Sequence, residues 1–115
     1  MRRVLIVEDE VMVAMYIEDV LTDLGYEIIG LATNLDQALT LARSAKPDFA
    51  ILDINLGGEL SFPAADVLRA REIPFFFVSG YTSGGVGDAY RNVPRLRKPF
   101  RAADLANAIE RLPAT

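Results

Sequence analysis

The sequence predicts an α/β fold, a doubly wound parallel sheet of flavodoxin-like (βα)5 type with strand order 2-1-3-4-5. Short apolar, β-branched or aromatic runs at residues 4–7, 26–31, 49–52 and 75–78 alternate with segments whose apolar residues recur at helical spacing. Several of those runs are apolar at every position, as strands covered on both faces are. No sequence repeat or linker divides the 115 residues, so the alternation must close on one parallel sheet, and residues 1–115 are expected to form one domain.

The first strand is Val4-Leu5-Ile6-Val7, an apolar run that stops abruptly at Glu8-Asp9-Glu10. Over residues 10–24, Val13, Ile17, Val20, Leu21 and Leu24 recur every three or four positions and Gly25 follows as a stop, which predicts an amphipathic helix. Residues 26–31 form the second strand, and Asn34 with Gln37 caps a second helix carrying Leu35, Ala38, Leu39 and Ala42. After Pro47, Phe49-Ala50-Ile51-Leu52 is a third strand that ends at Asp53. Gly57-Gly58 opens a loop, and Pro63 suits the first turn of a helix running through Val67 and Leu68. Pro74 precedes the fourth strand, Phe75-Phe76-Phe77-Val78, whose phenylalanines are expected in the core, and Ser79-Gly80 ends it. Residues 82–92 hold Gly84, Gly85 and Gly87, each costing a helix roughly 1 kcal/mol relative to alanine, so the fourth helix is expected to be short or mobile. Arg95-Leu96-Arg97 is a brief fifth strand leading to Lys98-Pro99, and a last helix carries Ala102, Leu105, Ala106, Ile109 and Leu112 on one face.

Composition narrows the chemistry. The chain has no cysteine and no histidine, which excludes disulfides, thiolate metal sites, a Ser-His-Asp triad and a phosphohistidine of its own. Any phosphohistidine has to come from a partner. A formal net charge of −4 provides no general attraction for nucleic acid, and no apolar run approaches the roughly 20 residues of a membrane helix. Neither a nucleic-acid nor a membrane partner is expected, and the expected location is cytoplasmic.

In sheets of this kind ligands sit beyond the carboxyl ends of the strands. Four of the five runs end in polar groups: Glu8-Asp9, Asp53, Ser79 and Lys98. Singly, Asp9 reads as a helix cap, Ser79 as turn chemistry and Lys98 as a surface residue before proline. Jointly they bring three acids to one place, and acids so placed repel each other unless a cation joins them. All-oxygen ligation selects a hard divalent ion, Mg²⁺ or Mn²⁺. A carboxylate nucleophile at Asp53 then needs that ion and Lys98 to neutralise phosphoryl oxygens, with Ser79 donating a hydrogen bond. The resulting acyl phosphate stays open to in-line attack by water, which suits a reversible switch.

Glu8-Asp9, Asp53, Ser79-Gly80 and Lys98-Pro99, in that order at the ends of alternating strands, resemble the response-regulator receiver domains of two-component signalling. The match spans essentially the whole chain. The resemblance implies that Asp53 is the phosphoacceptor, that Asp9 and Asp53 contact Mg²⁺ directly, that Glu8 acts more loosely or through water, and that the backbone carbonyl of Asn55 is a further ligand. It also implies that Ser79 and Lys98 read the phosphoryl group and that Lys98-Pro99 is cis. Pro74-Phe75-Phe76-Phe77-Val78-Ser79-Gly80-Tyr81 is similar to the Pro-Phe-x-Phe-Ala-Thr-Gly-Tyr signature of the FAT GUY receivers, mostly alphaproteobacterial single-domain regulators, with Val78 and Ser79 replacing Ala and Thr. Most receivers carry an aromatic switch residue three positions before the lysine; that position is Arg95 here. Ser79 and Tyr81 are the switch candidates that remain.

The protein is therefore expected to be a phosphoacceptor signalling domain rather than an enzyme acting on small molecules. Its expected donor is a histidine kinase or a histidine phosphotransfer protein, with output through protein contact, either as a stand-alone receiver or as a segment of a hybrid kinase. One alternative is a metal-dependent phosphohydrolase with Asp53 as nucleophile, but Asn55 stands where a second acid would serve it. Another is a non-phosphorylated interaction domain of the same fold. Arg91, Arg95, Arg97 and Arg101 form a basic cluster whose simplest role is a solvated surface, its alternative a docking face for an acidic partner.

Overall fold

The computed structural model describes residues 2–80 and 88–113. Its main sheet is built from β1 (Arg3–Val7), β2 (Glu27–Ala32), β3 (Phe49–Asp53), β6 (Phe75–Ser79) and β7 (Arg95–Arg97), all parallel, in the order β2-β1-β3-β6-β7. That is the expected 2-1-3-4-5 order, with the intervening β4 (Asn55–Leu56) and β5 (Glu59–Leu60) forming a separate antiparallel hairpin. The hairpin is an addition to the predicted fold. It turns at Gly57 and Gly58, with φ of 63° and 98°, a pair of left-handed conformations that glycine adopts without a Cβ clash.

Alternation along the strands sends side chains to two cores. Leu5, Val7, Ala50, Leu52, Phe75 and Phe77 face one side, and Val4, Ile6, Phe49, Ile51, Phe76 and Val78 the other. The first core is closed by α2 (Leu35–Ser44) and α3 (Phe62–Ala70), the second by α1 (Val11–Asp23) and α4 (Ala102–Glu110). The three phenylalanines thus split across the sheet as expected, and each fully buried ring stabilises the fold by roughly 1.5–3 kcal/mol relative to exposure.

Most helix ends follow the predicted signals. Asn34 Oδ1 accepts the Gln37 N–H at 2.8 Å, while the Gln37 side chain turns to the Thr33 N–H at 2.9 Å, one residue earlier than a reciprocal capping box requires. Gly25 (φ 90°) follows α1, and Pro63 lies in the first turn of α3. Two face assignments need correcting. Leu24 is 48% exposed, because the helix has ended before it. On the last helix Ala102 is exposed and Ala108 is buried in its place, since Leu105, Ala108 and Ile109 span the face that meets the sheet.

Between β6 and β7 the described residues hold one 3₁₀ turn, Asp88–Tyr90. Tyr90 is buried, with its ring stacked 5.3 Å from Phe62 and edge-on to Phe77 at 5.5 Å. No helix among the described residues is long and apolar enough to cross a membrane.

Candidate functional site

The strand register sets the site. Ile6 pairs with Ile51, Ile51 with Phe76, and Ser79 with Arg97, so β1, β3, β6 and β7 finish at one edge of the sheet. Glu8 and Asp9 follow β1, Asp53 closes β3, Ser79 closes β6, and Lys98 follows β7. Strands β1, β3 and β6 are buried for packing reasons, and the largely exposed β7 is held beside them by its pairing with β6; the polar residue that ends or follows each is carried to the edge with it.

Glu8, Asp9, Glu10 and Asp53 place one carboxylate oxygen each within 4.8 Å of one another. Glu8 is 1% exposed and Asp53 5%. Lys98 enters from just beyond the edge strand β7. Its Nζ donates to Asp53 Oδ2 at 3.1 Å, to Glu10 Oε1 at 3.0 Å and to Glu8 Oε2 at 3.3 Å. The two oxygens of Glu8 are treated unequally: Oε2 also accepts the Glu10 N–H at 3.1 Å, whereas Oε1 lies 3.1 Å from Nζ but accepts no directional hydrogen bond. Lys98–Pro99 is cis, and the Lys98 N–H donates to the Ser79 carbonyl at 2.8 Å.

The electrostatic consequence is visible at both signs of charge. Burial raises the Glu8 carboxyl first, then the hydrogen bond and repulsion from Asp53, to about 8; the Glu10 N–H and Lys98 only partly offset this. Burial acts on Lys98 to lower its basicity, but the hydrogen bonds to Glu10 and Asp53, with the attraction of Asp53 and Glu8, outweigh it and raise the ammonium's pKa. One ammonium is too little charge for four carboxylates.

The loop after Asp53 completes the surroundings. The Asn55 N–H reaches Asp53 Oδ1 at 3.4 Å, and the Asn55 side chain accepts the Gly58 N–H at 2.8 Å, fixing the hairpin turn. A Cβ on Gly57 would lie 3.9 Å from Asp9 Oδ2, so the hairpin lies against the acid cluster. These donors are all oxygen, closely grouped and partly unsatisfied, which suits a hard divalent ion.

Of the residues singled out from the sequence, Glu8, Asp9, Asp53 and Lys98 come together, and Ser79 and Asn55 flank them on their strand ends. Tyr81 lies outside the described residues. Asp9 is not the helix cap: Glu10 occupies the N-cap position of α1, and its side chain makes no capping bond there. Sequence reasoning passed over Glu10, although a glutamate is a poor cap and a third consecutive acid was a signal. Arg95 and Arg97 are exposed on β7, and Arg91 before it and Arg101 after it are exposed too.

Comparison with known proteins shows the family and the fold. The family described as response regulator receiver domain matches residues 4–110. Transcriptional regulatory protein PdtaR of Mycobacterium tuberculosis is 34% identical over 113 residues, covering 95% of this chain and 55% of that protein. Phyllosphere-induced regulator PhyR of Methylorubrum extorquens is 31% identical over 110 residues, 92% of this chain and 41% of that protein. The chain thus spans about half the length of these curated relatives. The solution structure of SdrG from Sphingomonas melonis Fr1 superposes with a TM-score of 0.86 at 40% identity, covering 96% of this chain and 94% of that one.

Proposed function

Because this chain belongs to the response regulator receiver domain family of two-component signalling, we propose that residues 1–115 form a receiver that accepts a phosphoryl group on Asp53 from a protein phosphohistidine. The observation that carries this is the contact of Asp53 with Lys98 at 3.1 Å inside a cluster of four carboxylates. Asp9, Asp53 and the Asn55 carbonyl would hold Mg²⁺ or Mn²⁺, with Glu8 behind them. When bound, that ion supplies the positive charge that lets an anionic phosphoryl group approach an anionic nucleophile.

The chain's own residues do the rest. A carboxylate oxygen of Asp53 forms the new bond to phosphorus as the phosphorus–nitrogen bond of the donor breaks, and the departing imidazole keeps that electron pair. Lys98 neutralises a phosphoryl oxygen, and the Ser79 hydroxyl donates to another. Hydrolysis later removes the group: a water oxygen bonds to phosphorus as the bond between the Asp53 oxygen and phosphorus breaks, so inorganic phosphate leaves and Asp53 is recovered as carboxylate. Turnover of Asp53 is self-modification followed by hydrolysis, which makes the domain a signalling element.

A protein donor must also dock. Beside Lys98 an apolar groove of about 510 Å³ runs along Met12, Val13, Tyr16, Pro99 and Phe100, and Met12 and Met15 on the same helix are 79% and 54% exposed. Its position at the rim of Asp53 supports its use by the phosphohistidine-bearing donor, a histidine kinase or a histidine phosphotransfer protein.

The test is incubation with Mg²⁺ and acetyl phosphate, read by intact mass. Wild type gains one phosphoryl group only with the metal; Asp53→Asn gains none. Equal labelling of both proteins would remove Asp53 from the role.

A further inference from the structure

Lys98 has three ammonium protons, and three different carboxylates take them: Asp53 at 3.1 Å, Glu8 at 3.3 Å and Glu10 at 3.0 Å. The ammonium is saturated. A phosphoryl oxygen arriving on Asp53 needs one of those protons, so one carboxylate has to yield. Asp53 is the acceptor itself, and Glu8 is 1% exposed with its Oε2 also accepting the Glu10 backbone N–H. Glu10 differs from both. Its side chain is 60% exposed, it is spared from capping α1, and water can replace its bond when it swings away.

We propose that Glu10 is a positioning residue for Lys98, a latch that holds the ammonium at the mouth of the site and releases it to the incoming phosphoryl group. The proposal rests on Asp53 being the phosphoacceptor. Breaking the Glu10–Lys98 contact is then part of the cost of phosphorylation, and a variant without the contact starts with that cost removed. Glu10 also lies within reach of a cation held by the acids, so a ligand role is the competing explanation, and repulsion of anionic donors by its charge is a second one.

The experiment compares wild type, Glu10→Gln and Glu10→Asp in initial rate of phosphorylation by acetyl phosphate across a Mg²⁺ series. Gln keeps the length and loses the charge, leaving only a weaker neutral hydrogen bond to the ammonium, while Asp keeps the charge and, one methylene shorter, loses the reach. The latch predicts that both variants run about two- to fivefold faster at saturating Mg²⁺, the range expected for a partly exposed ion pair, with the half-saturating Mg²⁺ concentration unchanged. A higher half-saturating concentration without acceleration assigns Glu10 to the metal and overturns the latch. Acceleration in Gln alone makes Glu10 a source of repulsion and also overturns it. Wild type that takes no label sinks the phosphoacceptor reading and the latch together, whereas labelled wild type with unaccelerated variants sinks the latch alone.

Discussion

At Tyr90 a buried phenol donates to the Asp66 carboxylate while the Arg69 guanidinium lies 4.2 Å over its ring and donates to the Ala89 carbonyl at 2.8 Å. These contacts tie the segment before β7 to α3. Burial, then the hydrogen bond and charge of Asp66, push the phenol up to about 12, against a smaller lowering by Arg69. An unfolded tyrosine ionises near 10, so between about pH 10 and 12 the unfolded chain has lost a proton that the fold retains, and stability falls with pH. Tyr90→Phe lacks that proton. It should cost about 1 kcal/mol at pH 8, for one hydrogen bond whose acceptor is exposed to water, and the gap to wild type should close as urea unfolding is repeated toward pH 11.5. A gap that stays constant would show that the phenol titrates alike in both states. Asp53 was readable in the sequence because a charge ending a wholly apolar strand needs a partner. Tyr90 was not, because it lies in a glycine-rich stretch with no period, and its partners Asp66 and Arg69 are 24 and 21 residues upstream.

The elements differ in how openly they were written. Strands β1, β3 and β6 were legible because burial on both faces leaves an unbroken apolar run. The β4–β5 hairpin was missed, although Gly57-Gly58 between Leu56 and Leu60 carries the turn signal, because two-residue strands are too short to show alternation. On α1 the periodic residues marked the inner face correctly at Ile17, Val20 and Leu21, but Val11, Met12, Met15 and Tyr16 remain exposed in spite of being apolar. Such an apolar patch beside the acid cluster is the kind of surface that marks a protein contact. Met12→Ser with Met15→Ser should leave the unfolding midpoint nearly unchanged, since neither side chain is in the core. It should leave acetyl phosphate labelling at the wild-type rate and slow transfer from a phosphohistidine protein severalfold. Equal slowing with both donors would place the defect at Asp53 and not at docking.

At the scale of the molecule, the sheet gathers charge that local structure alone would keep apart. Strand order and the two-core arrangement were legible because each follows from alternation and burial; how Lys98 divides its three protons was not, since it depends on side-chain directions at residues 45 to 90 positions apart. Repulsion within the acid cluster is expected to outweigh its pairing with Lys98 in the metal-free fold, and a cation that binds the folded state alone must stabilise that fold by RT ln(1 + [L]/Kd), about 2.7 kcal/mol at a hundred times Kd. For a domain of this size that is a rise in Tm of roughly 10 °C, at about 4 °C per kcal/mol. Asp53→Asn removes one of four carboxylates yet leaves Lys98 its contacts with Glu8 and Glu10. In the presence of chelator it should melt above wild type, and on adding Mg²⁺ it should gain less than half the wild-type increment. Thermal melts of both proteins with EDTA and with saturating Mg²⁺ read both quantities. A chelated Asn variant that melts below wild type would mean that the Asp53–Lys98 pair outweighs the repulsion around it, and that the site is held together by its lysine even before a metal ion arrives.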